Sequence, residues 1–286
     1  MTDINDLRKS LENIDTLPAM PAIAQKLLAL PLDTDEGEAQ LLKLIAQDPQ
    51  ISAKIVGLSN TALFGAPRNV TSVTDAAMCL GLARVKSVAI GIATMSALAT
   101  QHEGKFKFAD LWTHNMAIAV AMRIIARHMP ARLRPLDDHI FLAGLLHDIG
   151  YSALSYLDTA ASNALYEKLN VMDDTPQLVL ENDMLGIHHG EIGARLALHW
   201  GLPDEIVTVI RYHHTPDDAN ADEARSLVRL VSIAEKILPG FGITEHIGQE
   251  ITQQEWLDLG IDPGEVDAIL EEVKVAAEQT RQLNIS

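Results

Sequence analysis

Apolar residues recur along this chain at three- and four-residue spacing, the period of one helix face, and no useful stretch alternates as a strand does. Ile23, Leu27, Leu28 and Leu30 share one side of a segment entered through the rigid Leu17-Pro18-Ala19-Met20-Pro21. Short helices are expected over residues 41–47, ended by Asp48-Pro49, and over 51–58, because the residue before proline avoids helical dihedrals. Ser59, Asn60, Gly65 and Pro67 mark a loop; a helix then runs from Thr74 and Asp75 to Leu80, where Gly81 stops it, and apolar helix continues over 82–100.

Beyond a polar break at 101–107, the pattern predicts a long helix over 108–129 closed by Pro130, and an apolar helix over 136–150 terminated by Gly150. Amphipathic helices follow at 158–170, 177–185 and 189–200, the last stopped by Gly201. Pro203 begins a helix reaching His214, residues 216–222 form an acidic loop, and an apolar helix over 225–238 ends at Pro239-Gly240. In the tail, Thr252 and Glu255 are spaced as a capping box, and Asp262-Pro263 as an N-cap with proline in the first turn. The fold class is therefore all-α. The break near Gly104 divides it into an N-terminal helical subdomain (1–104), a helical core (105–240) and a C-terminal helical extension (241–286).

Composition narrows the setting. With 286 residues, 48% hydrophobic and 21% charged, the chain has length and apolar content for a real core. Aromatics at 4% fit helices packed through aliphatic side chains better than a β-sandwich. A net charge of −17 repels nucleic acid and anionic lipid at long range, while leaving room for a small phosphorylated ligand held by local cations. Cys79 is the single cysteine, which excludes an internal disulfide and a cysteine-rich zinc site. Residues 1–10 carry four charges and no apolar run, so no secretory signal is expected. Residues 76–100 contain Arg84 and Lys86 and are expected to be buried core rather than a membrane span. A cytoplasmic protein is expected.

The histidines carry the chemistry. His114 lies on the face of Ile118, Ala121 and Ile125; His147 and Asp148 close an apolar run; His189 shares a face with Ile192 and Leu196. His213 and His214 follow Val207 and Ile210 at helical spacing, and Glu235 sits on the stripe of Val228, Val231 and Leu238. Burying one polar group unpartnered costs roughly 1–3 kcal/mol, so this inward-facing set needs internal partners, water or a cation. Each residue also has a plainer reading. His114 can be a hydrogen-bonded core histidine, Asp148 can serve local backbone amides, the His213-His214 pair can be a solvated helix end, and Glu235 can pair with a lysine or arginine. Taken together they suit one or two divalent ions (Fe, Mn, Zn or Ni), a bridging carboxylate allowing two. His102, His128, His139, His188, His199 and His246 read as surface or supporting residues.

Gly144-Leu145-Leu146-His147-Asp148-Ile149-Gly150 resembles the signature of the HD superfamily of metal-dependent phosphohydrolases. Leu17 to Pro21, Ile45-Ala46-Gln47-Asp48-Pro49, Ser59 to Gly65 and Cys79-Leu80-Gly81 resemble, in order, the pattern of the HDOD (HD-related output domain) family. Leu111 to His114, His189 to Ala194, Trp200 to Pro203 and His213 to Pro216 extend the likeness, which covers about residues 15–240. The resemblance implies an N-terminal helical bundle packed on a divergent HD-type core, in a bacterial signal-transduction module with a protein-interaction role. It also implies a ligand set of His114, His147, Asp148, His189, His213 and His214, like that of the HD-GYP phosphodiesterases. Glu235 stands where the superfamily usually has aspartate. Tyr151 replaces the lysine common after the HD stretch, and Thr215-Pro216-Asp217-Asp218 replaces the GYP signature, so the ligand set survives better than the substrate-handling set. The alternative is an active phosphohydrolase acting on a nucleotide or other phosphorylated small molecule. Asp148 would bridge the metals in it, hydroxide formed there would attack phosphorus, and Arg195 and Arg211 would contact phosphate. A signalling protein partner and a nucleotide ligand are the expected interactions; the sequence leaves the oligomeric state open.

Overall fold

The computed structural model describes residues 17–61, 63–64, 69–99, 104–171, 175–239 and 250–281. Among them every regular element is helical, in the order α1 (Ala22–Leu28), α2 (Asp35–Ala46), α3 (Pro49–Ser59), α4 (Val73–Leu80), α5 (Leu82–Ala99), α6 (Phe108–His128), α7 (Asp137–Leu146) and α8 (Ile149–Leu157). There follow α9 (Thr159–Leu169), α10 (Gln177–Leu185), α11 (His189–His199), α12 (Asp204–Tyr212), α13 (Arg225–Ile237), α14 (Gln253–Asp258) and α15 (Val266–Arg281), with 3-10 turns at Ala219–Ala224 and Pro263–Glu265. Residues 1–10, where no secretory signal is expected, residues 101–103 of the polar break, His102 among them, and His246 lie outside the described residues.

Local chemistry explains where the helices start. The Thr34 side chain accepts from Gly37 N at 3.1 Å, and Asp35, Glu36 and Glu38 put negative charge at the positive end of α2. That helix therefore begins six positions before the apolar pattern alone places it. Asp48 caps α3 with proline at its first turn, and the capping box of Thr252 and Glu255 forms as its spacing predicts. Gly81 adopts φ +87° and turns the chain between Val73–Leu80 and Leu82–Leu98 by 118°, so residues 76–100 make two core helices rather than one span.

One expectation needs correction. The apolar run over 136–150 is not a single helix stopped by Gly150. It breaks at His147 and Asp148, and Gly150 lies inside α8. The reason is packing: a Cβ on Gly150 would lie 1.9 Å from the His189 carbonyl oxygen. Bare backbone is what lets α8 press against α11. Asp137–Leu157 has the length and apolarity of a membrane span, but 78% of its apolar window is buried in the fold, which makes it core.

Glycine also sets the next crossing. A Cβ on Gly144 of α7 would lie 2.5 Å from Ala119 Cα of α6, so these two helices meet nearly backbone to backbone. The apolar core runs as one cluster from Leu17 to Ala277, and α15 packs on α6 as part of it. The N-terminal strap is tied down from afar, Trp200 Nε1 donating to the Pro18 carbonyl at 2.7 Å. Helices α6, α7, α8, α11, α12 and α13 thereby converge, and each brings one end or one turn to the same interior point.

Candidate metal centre

The break between α7 and α8 is the heart of this point. His147 is the C-cap of α7 and Asp148 the N-cap of α8, yet the Asp148 side chain makes no capping bond. Its carboxylate is turned into the protein instead. There Oδ2 lies 3.4 Å from Nε2 of both His114 and His147, while Oδ1 lies 3.4 Å from His189 Nε2 and 3.6 Å from His213 Nε2. One carboxylate thus faces two histidine pairs, one oxygen to each.

Glu235, in the last turn of α13, closes the other side. Its Oε1 is 3.3 Å from His147 Nε2 and 3.9 Å from His213 Nε2, and its Oε2 is 3.8 Å from His214 Nδ1. Neither the local-amide reading of Asp148 nor a lysine or arginine partner for Glu235 describes these contacts. The ring of His213 is buried, so this pair is no solvated helix end. His114, His147, Asp148, His189, His213 and Glu235 are each at most 1% exposed, and the His214 side chain is 10% exposed. The cluster offers three overlapping metal-like sets: His114, His147 and Asp148; His189, His213 and His214; and Asp148, His213 and Glu235.

Hydrogen bonds fix which nitrogen faces inward. His147 Nδ1 lies 2.9 Å from the Gly144 carbonyl, His213 Nδ1 lies 2.9 Å from the Ile210 carbonyl, and His189 Nδ1 lies 2.8–2.9 Å from both Glu181 oxygens. Oxygen acceptors require N–H at each Nδ1, which leaves the Nε2 lone pairs pointing into the cluster. Two of those atoms, on His189 and His213, face each other at 3.0 Å. Two lone pairs at that distance repel unless a proton or a metal ion lies with them. Both oxygens of Asp148, both of Glu235 and Nε2 of His214 are buried and accept no hydrogen bond. Neutral imidazoles and carboxylates with free inward atoms are the donor set a divalent cation takes. The residues fit such an ion.

Charge supports the same conclusion. Burial pushes the His147 imidazole down, but Asp148 and Glu235 outweigh it and hold it up at about 9. Asp148 is held well below the carboxylate range despite burial, chiefly by His147, His114 and His213. Burial works against Glu235 too, yet the imidazoles of His214, His213 and His147 draw it down. Burial and the neighbouring His213 push His214 to about 3. The metal-free cluster is an anionic core neutralised by protons.

Glu181 of α10 is a supporting residue that pattern reading missed. It is fully buried and accepts from His189 N at 2.7 Å and Tyr151 Oη at 2.8 Å, with Gln177 Nε2 at 3.3 Å. A signal was present: Gln177, Glu181 and Leu185 follow at four-residue steps, so two polar side chains occupy the stripe that Leu185 buries. Tyr151 stacks on His189 at 4.4 Å and 17°, so it presents no polar group to the cluster interior. Arg195 and Arg211 do not point into the cluster. Both guanidinium groups are held by Glu191, each with Nε 2.8 Å from one of its oxygens. His128 and His139 pair at the surface with Glu265 and Glu205, and His188 caps α11.

One acid-stability result follows for the metal-free protein. Burial pushes the Glu181 carboxyl up, but the charge and hydrogen bonds of His189 and the Tyr151 hydroxyl hold it at about 2. Its folded value lies below its ordinary one, so the stability it contributes is complete above about pH 4.5 and disappears as pH falls towards 2. Urea midpoints measured from pH 5 to 2.5 should drop less for Glu181→Gln than for the unaltered chain. Parallel curves would show that Glu181 titrates normally.

The class these features define is a helical protein enclosing a histidine–aspartate centre at a helix junction. Residues 17–216 match the HDOD domain, and the chain belongs to that family. A curated, uncharacterised protein of Treponema pallidum (strain Nichols) is 27% identical over 230 residues, 78% of this chain and 42% of the relative. Among solved structures, a candidate signal-transduction protein of Marinobacter aquaeolei VT8 is 26% identical with a TM-score of 0.79, over 97% of this chain and 64% of that one. The chain therefore spans less than two thirds of the length of both relatives. An HDOD domain protein of unknown function from Geobacter sulfurreducens (24% identical, TM-score 0.77, 99% of both chains) shares the fold. A candidate phosphohydrolase from Shewanella amazonensis SB2B (23%, TM-score 0.71, 97% of both) shares it as well.

Proposed function

We propose that this HDOD chain is a cytoplasmic regulatory module of bacterial signal transduction, whose core holds one or two divalent cations in a closed site and whose helical surface meets a protein partner. The observation that carries the metal reading is the facing Nε2 pair of His189 and His213, at 3.0 Å, beside four buried carboxylate oxygens that accept no hydrogen bond. His114, His147 and Asp148 would hold one ion, His189, His213 and His214 a second, with Glu235 beside them. A divalent cation bound there supplies positive charge that neutralises Asp148 and Glu235. It does for the fold what structural metals do, in a site closed to solvent.

The same geometry argues against rapid phosphodiester chemistry. A hydrolytic centre keeps an open coordination position and a cation for the phosphate. Here the ligands are buried, Tyr151 directs its hydroxyl to Glu181, and Arg195 and Arg211 are engaged by Glu191. The phosphohydrolase reading draws on one feature, the Asp148 carboxylate shared between two histidine pairs.

Elemental analysis of protein purified without added metal, followed by assays with Mn, Fe, Zn and Ni, tests this proposal. The expected result is one or two equivalents of metal and no turnover of cyclic dinucleotides, nucleoside phosphates or simple phosphodiesters. Turnover at ordinary enzymatic rates, about 1 per second or more, would favour the hydrolase. Metal-free protein that takes up none on titration would sink the metal reading.

A further inference from the structure

We infer that Glu181 makes the two halves of this centre unequal, so that the half formed by His189, His213 and His214 takes up the first divalent cation. The inference rests on the metal-binding reading above. Behind His147, His213 and His189 lies an oxygen in each case, but the oxygens differ. Those behind His147 and His213 are neutral backbone carbonyls, of Gly144 and Ile210, at 2.9 Å each. The one behind His189 is a carboxylate, with Glu181 oxygens at 2.8 and 2.9 Å. A charge-assisted bond to Nδ1–H is roughly twice as strong as a neutral one, and it passes electron density to Nε2.

Glu181 is also fixed in this role. Its carboxylate takes the His189 backbone N–H at 2.7 Å and the Tyr151 hydroxyl at 2.8 Å, and Gln177 reaches both Tyr151 and Glu181. The His189 amide opens α11, where the helix dipole favours an anion. Tyr151, stacked between Phe106 at 4.7 Å and His189 at 4.4 Å, keeps its hydroxyl on the carboxylate. With these donors in place Glu181 is a positioning residue and not a ligand. Asp148 and Glu235 contribute to both halves, because each contacts His147 and His213. Glu181, through His189, acts on the half of His189, His213 and His214.

Calorimetric titration of the metal-stripped full chain with Zn2+ tests the assignment. The unaltered protein should show two steps, and Glu181→Gln should weaken the first by about 10–100-fold while leaving the second in place. Tyr151→Phe, which removes one donor and keeps the ring, should weaken the same step by a smaller factor and serves as the reading if Glu181→Gln does not fold. A first step unchanged in both variants, or a loss confined to the second step, overturns the inference while the metal centre stands. Failure of the unaltered chain to bind Zn2+ overturns both.

Discussion

Asp148→Ala is expected to empty the centre of metal. This carboxylate faces all four histidines of the two pairs, with Oδ2 at 3.4 Å from His114 and His147 and Oδ1 at 3.4 and 3.6 Å from His189 and His213. Losing a group that merely supports a ligand costs about 10–100-fold in metal affinity, and losing a shared ligand should exceed that. The effect on the metal-free fold is smaller. Breaking a buried pair of permanent charges costs about 3–5 kcal/mol, but imidazoles can release their protons once the carboxylate is gone. His147, now held up at about 9 by Asp148 and Glu235, should titrate lower in the variant. Metal content by mass spectrometry and the His147 titration by NMR check both parts. An Asp148→Ala protein with full occupancy would refute the ligand assignment.

Gly150→Ala is expected to damage the fold and the centre together by a single methyl group. The added Cβ would lie 1.9 Å from the His189 carbonyl oxygen, 2.7 Å from its carbon and 3.1 Å from Gly193 N. All three are backbone atoms, so no rotamer change relieves the overlap, and α8 and α11 must separate. Overpacking in a core costs about 1–3 kcal/mol, and a backbone clash should reach or pass the upper end. The two helices begin at Ile149, next to Asp148, and at His189, so separating them also spreads the ligand cluster. Urea unfolding and metal titration should therefore fail together. Gly57→Ala is the control: a Cβ there meets nothing within 4 Å, and an exposed helical alanine should stabilise by about 0.5–1 kcal/mol. Equal stability of the Gly150→Ala and Gly57→Ala proteins would remove the basis for the helix crossing.

Gly150 also marks where reading the chain falls short. A glycine after an apolar run has two physical uses, a helix stop and a close approach, and periodicity alone cannot separate them. The helical class, the turn at Gly81 and the capping box at Thr252 were legible because each depends on neighbours in sequence. The inward faces of His114, His189 and Glu235 were legible for the same reason, since helical period alone places them. Their meeting does not follow from the period; it was legible only through the family resemblance, because the contacts join residues 114, 148, 189, 213 and 235 across helices whose crossings depend on Gly144 and Gly150. Glu181 was missed because a glutamate in an amphipathic helix usually faces solvent, and only its step from Gln177 to Leu185 shows otherwise. The start of α2 was missed because Asp35, Glu36 and Glu38 add no apolar period, although they suit a first turn.

The seal around the cluster has a consequence for time. Solvent reaches it along one edge of His214, whose side chain is 10% exposed, while the remaining members are at most 1% exposed. An ion in such a place can leave only when part of the fold opens, so its residence follows the opening rate of α12 and α13 rather than diffusion. Loaded and empty molecules would then interconvert slowly, and each titration step needs time for that opening. The metal found in the isolated protein would come to match the surrounding buffer only over the time such openings take.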